Sequence, residues 1–368
     1  MVQDRTRPED VAQTPPRRSA RRSRLGLFLP YILLALVVAG WSAGWFWIRA
    51  RAASEIDGWI AREAAAGRTW TCADRTLVGY PFRIELRCSA VTLERADSRL
   101  RLGPSLAVAQ IYQPRLVVFE SAGPFHVEQG GLTGDASWKA LQGSFHGAAE
   151  GFIRASVVVD APNVTVAGAD PGPIAVSGRH LEIHARPTPG RSESEGAVDV
   201  SLRLAQAAVP QLDALTATQD PADLVLDATL TQATVLRTGT VARELERWRQ
   251  AGGVLDLTAL SLAKGAQRVQ AKGTLALDNA HRPAGQIDLR AAGVDALVGN
   301  IVGQRYGSER GALVGQLVGG LLGLSRRPDT EAPADATPLK ALPPLRLVDG
   351  KLVFSGFPIP NVHLPALY

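Results

Sequence analysis

A chain of 368 residues with 46% apolar side chains can bury a sizeable core, which excludes a disordered protein. Its formal charge of +5 is concentrated before position 25, where seven arginines (Arg5, Arg7, Arg17, Arg18, Arg21, Arg22, Arg24) face Asp4, Glu9 and Asp10. The remainder therefore carries only about +1, no footprint for a polyanion, and nucleic acid is excluded as a partner.

Residues 1–24 form this basic tail, and residues 25–48 carry no charge. As a helix the uncharged run covers roughly 36 Å, enough to cross a ~30 Å hydrocarbon layer with some tilt. Trp41, Trp45, Phe46 and Trp47 crowd its far end like an interfacial belt, and only Arg49 and Arg51 follow closely. The asymmetry predicts a single-pass protein of a bacterial inner membrane, with a cytoplasmic N-terminus and a periplasmic bulk. A cleaved signal peptide, with Ser42-Ala43-Gly44 at the cleavage site, is the alternative.

A helical connector is predicted over 49–66, and a mainly β domain over 67–324. The only cysteines, Cys72 and Cys88, lie in "WTCADRTLVGYPFRIELRC". Phe82, Ile84, Leu86 and Cys88 alternate with Arg83, Glu85 and Arg87, the period-two pattern of a half-buried strand. A hairpin centred on Tyr80 places Cys72 opposite Cys88 and Arg75 opposite Glu85, close enough for a disulfide. An oxidising compartment favours that bond.

Strand patterns follow at short spacing, among them "RASVVVDAPNVTVAG", "IAVSGRHLEIHARP", "GAVDVSLRLAQA" and "QRVQAKGTLALD", separated by glycine, proline or asparagine. They predict an extended, curved antiparallel sheet with a few short helices. His180, Glu182 and His184 share one strand face, but no further ligand completes a metal site. Ser144 in "GSFHG" sits one place too early for a nucleophile elbow. No catalytic residue, metal or cofactor is expected.

"VARELERWRQAGG" at 241–253 is an amphipathic helix ending in glycine. Further on, Gly299, Gly303, Gly307, Gly311, Gly315, Gly319 and Gly323 recur at every fourth position. Each step drifts about 40° around a helix, so two short helices within 294–324 serve the stripe better than one. Close packing on the sheet or on each other is the main expectation. A membrane-contacting surface of Leu313, Val314, Leu317, Val318, Leu321 and Leu322, and self-association, are the others. A polar linker at 325–344 leads to C-terminal strands at 345–368, where either Leu352 or Val353 faces inward.

The order of basic tail, span, helix, cysteine and "GYPFRIELRC" resembles an uncharacterised bacterial family, the domain of unknown function 2125. "VQAKGTLALDNAHRPAGQIDLRAAGVDALV" and "LRLVDGKLVFSGFPIPNV" are similar to strand phrases of AsmA-like envelope proteins. The latter resemblance implies a membrane-anchored periplasmic sheet curved into an apolar groove with a role in placing lipids. The expected function is non-enzymatic, binding or passing an apolar, lipid-like ligand in envelope maintenance, with membrane lipid as partner. The alternative is an adaptor that binds another envelope protein through its sheet.

Overall fold

The computed structural model describes residues 25–148, 151–168, 172–216, 218–236, 239–293 and 338–368. The seven glycines of the stripe and the helices expected around them lie outside these residues. One unit ends at Ile48 and a second runs from Arg49 to Tyr368. A single helix, Leu25–Ala65, contains the uncharged run and is long and apolar enough to cross a membrane. Just beyond the uncharged run it carries an i,i+4 Arg51–Glu55 pair.

The second unit is mainly β. Its strands form a seven-stranded and a sixteen-stranded sheet, all of whose pairings are antiparallel. Up to His180 the chain alternates between the two. Thr76–Val78 and Arg83–Cys88 belong to the large sheet, Ala90–Glu94 and Ser98–Leu102 to the small one, Ser105–Gln110 and Gln113–Ser121 to the large one. The same exchange repeats through Ile174–Ser177, and from His180–Pro187 onward every strand joins the large sheet.

Each exchange takes only one to three residues: 74–75, 89, 103–104, 122–124, 138–139, 161–162 and 178–179. Seven long strands therefore bend across one fold line, as strands do at the corner between two sheets. The residues suit the bend. Asp74 and Ala161 adopt left-handed backbone at φ 47° and 48°. Prolines at 104, 124 and 162 fall where the ladder is interrupted and no donor is missed. At Gly103 a Cβ would lie 2.5 Å from the Ala122 carbonyl oxygen, so only glycine fits. Corner amides bond along the line, Gly103 to Pro124 and Ala161 to Arg179, at 3.0 and 2.9 Å.

This geometry corrects the predicted hairpin. Thr76 faces Arg87, Leu77 faces Leu86 and Val78 faces Glu85, three positions away from the expected register. Cys72 is not in that hairpin at all: the chain turns at Asp74, and Cys72 pairs with Val91 in the small sheet. Arg75, expected opposite Glu85, bonds instead to Asp57 of the long helix at 2.6 Å. Glu85 is buried and held by Arg83 and Arg87 from its own strand. Cys72 and Cys88 are nonetheless disulfide-bonded, with Cα atoms 5.2 Å apart, and the bond ties the small sheet to the large one beside the fold line.

The expected mainly β, antiparallel architecture with a few short helices holds, and its strands are divided between two sheets that share a corner. Lys340–Ala341, inside the stretch read as linker, pairs with Pro283–Ala292, which also receives Leu345–Val348. The C-terminal strands therefore continue the large sheet.

Candidate functional site

Period-two alternation gives each sheet one apolar and one polar face. In the small sheet the cross-strand row Cys72, Val91, Leu102, Phe125, Ala136, Val164, Val176 runs through all seven strands without a polar side chain. A parallel row runs from Trp70 through Leu93, Leu100, Val127, Gly134 and Val166 to Ile174.

The large sheet does the same over a greater distance. One row links Leu86, Ala107, Phe119, Gly143, Val157, Ile183, Leu202, Leu226, Leu260, Ala271 and Leu289. A second links Ile84, Ala109, Val117, Phe145, Ala155, Ala185, Val200, Ala228, Leu257, Gly273, Ile287, Leu345 and Phe354. At a strand spacing of about 4.8 Å, that second row extends for roughly 60 Å. It also settles the C-terminal orientation: Leu352 and Phe354 lie on the apolar face, while Val353 pairs with Arg346 on the polar one.

The two apolar faces look at each other across the corner. Val91, Leu102 and Phe125 of the small sheet and Leu86, Phe119 and Val157 of the large one line a cavity of about 510 Å³. Its few polar groups are already occupied: Ser105 and Ser121 bond to each other at 3.0 Å, and Trp138 Nε1 donates to the Ser121 carbonyl at 2.7 Å. Away from the corner the apolar rows are only partly covered. The buried centre of the large sheet is small, Ala228, Leu257 and Ala271 with their apolar neighbours, and no large side chain among the described residues is fully buried. A close-packed interior of this many strands would bury many.

The polar face holds the residues that invited a metal reading. His180 Nδ1 lies 2.7 Å from Asp160 and Nε2 3.0 Å from Glu182, while His184 contacts Ser156 and Glu182. Asp160, then Glu182, holds the His180 pKa above its ordinary value, and His180, then His184, holds that of Glu182 below. The nitrogens are taken up by carboxylates and a hydroxyl, and among the described residues no cluster is arranged to hold a metal ion. Ser144 and His146 are strand residues, paired with Val118 and Leu116 and not with each other.

Sequence reasoning found the apolar alternation but not the facing of two sheets, whose local mark is a glycine, a proline or a left-handed residue at five of the seven corners and none at Ser89 or Trp138-Lys139. A family model described as "Uncharacterized protein conserved in bacteria (DUF2125)" matches residues 45–363. No curated protein and no solved structure matches.

Proposed function

The chain belongs to the bacterial family DUF2125, and from its groove we propose that it holds or passes an apolar, lipid-like ligand between its two sheets. The anchor is the N-terminal helix, with the tail in the cytoplasm and the β unit in the periplasm, as the arginine asymmetry favours. The observation that carries the reading is the set of apolar rows that extends well beyond the cavity at the corner and stays incompletely covered. Each methylene of an acyl chain laid there is worth about 0.8 kcal/mol. The role is non-enzymatic and belongs to envelope maintenance. The disulfide suits an oxidising compartment.

Photo-crosslinkers at Leu86 and Phe354, on the apolar face, should capture labelled phospholipid, and one at Val353 should not. Capture at Val353 alone, or at none of the three, defeats the reading. Capture of another envelope protein from the polar face would then favour the adaptor alternative.

A further inference from the structure

The polar face of the large sheet has a cavity of its own, wholly within the β unit. Three arginines, Arg154, Arg186 and Arg203, border a space of about 710 Å³, a size that suits a small ligand. The strands set two of them side by side. Ala155 pairs with Ala185, and the same register carried one residue further places Arg154 of Gly151–Asp160 opposite Arg186 of His180–Pro187. Like charges directly opposed across a ladder repel each other. A carboxylate beside each would relieve the repulsion, but only Arg186 has one. It reaches Asp199 through Nε alone, at 3.3 Å, and that carboxylate is held more closely by the hydroxyls of Thr188 and Thr229, at 2.7 and 2.8 Å. Arg203 donates to Ser201 Oγ at 2.8 Å and stands 4.0 Å from Asp227. Arg154 has no hydrogen bond or ion pair among the described residues.

Three guanidinium groups therefore share two carboxylates, and N–H donors of Arg154 and Arg186 are left unused at the cavity wall. A guest with several acceptor oxygens and more than one negative charge completes this arrangement. Phosphate has both, and its oxygens match the fork of a guanidinium, whereas a single carboxylate would answer only one of the two arginines. The hydroxyls of Ser201 and Thr258, on the same wall, suit the polar body that carries the phosphate. We propose that this cavity binds a phosphate group, borne by a small polar ester or by a lipid headgroup, with Arg154 and Arg186 as its main ligands and Arg203 beside them. The site lies on the face opposite the apolar rows and does not depend on their holding a ligand.

The test is calorimetric titration of the purified full chain with inorganic phosphate, glycerol 3-phosphate and dihexanoyl phosphatidic acid. At least one should bind saturably, and Arg154→Gln or Arg186→Gln should weaken that binding about tenfold or more, the loss of a charge-assisted hydrogen bond. Lys351→Gln removes an equal charge from the polar face of a distant strand, two residues before Val353, and should leave the affinity unchanged. Arg154→Gln relieves an opposed pair, so its unfolding midpoint should not fall; Arg203→Gln is the further variant if Arg186→Gln fails to fold. No saturable binding of any probe at millimolar concentration overturns the proposal. So does binding that the arginine variants leave intact, or that Lys351→Gln weakens equally. Tighter binding of phosphatidic acid than of glycerol 3-phosphate, lost in the arginine variants, supports the site with a lipid headgroup as its source, and equal binding supports it with a soluble ester. Lipid capture at Leu86 and Phe354 takes no part in this titration, so either proposal can fail alone.

Discussion

At His180 both imidazole nitrogens face carboxylates, Asp160 and Glu182. Its titration should lie above the ordinary value near 6.5, and Asp160→Asn should bring it down, as read by NMR. Because the folded value is raised, the associated stability is fully present below the ordinary value and fades as pH rises through the folded one. Two other residues give sharper stability tests. Gly103→Ala, with its Cβ against the Ala122 carbonyl, should cost about 1–3 kcal/mol, while Gly172→Ala, which meets nothing, should be near neutral. Lys264 is almost completely buried and bonds to Asp213 at 2.6 Å and to the Asp220 carbonyl. Asp213→Ala should lower stability by on the order of 3 kcal/mol in thermal unfolding, and Lys264→Met added to it should recover part of the loss. The pairing of Cys72 with Cys88 was legible because the chain has just two cysteines and a plausible exported position. Their register was not, because the chain turns at Asp74 between the two cysteines, and one left-handed aspartate leaves no mark in the alternation.

Among the elements, the disulfide acts where the chain has only begun to shuttle between sheets. Closing a loop of this length is worth roughly 3 kcal/mol in the chain-entropy model, and here it also holds the first bent strand to the second. Cys88→Ser, or reduction of the native protein, should lower the unfolding midpoint by a matching amount; an unchanged midpoint would deny the bond a structural part. The strands themselves were readable from alternation, and the helix Val241–Gln250 from its spacing and its glycines. What could not be read was that "RASVVVDAPNVTVAG" and "IAVSGRHLEIHARP" are each divided between two sheets. A strand that bends keeps its period on both sides of the bend, and Ala161-Pro162 or Gly178-Arg179 looks in sequence like any short turn.

For the whole molecule, the apolar face is a property of long-range pairing: residues as far apart as Ile84 and Phe354 belong to one row. If that row carries the ligand, Phe354→Lys should cut the lipid that co-purifies by more than about tenfold, since an unpaired charge against hydrocarbon costs at least ~2 kcal/mol. Val353→Lys, on the other face, should leave it unchanged, and equal losses would count against the groove. The bent strands bear on mechanics as well. Seven backbones run unbroken from one wall into the other, so the walls have no loop about which to swing. Any widening must be shared as a small flexure by every strand, like the spine of a bound volume. Occupancy by a wide guest should therefore register as a simultaneous change in hydrogen exchange at the amides of Gly103, Ala122, Lys139 and Ala161, which bond along that spine.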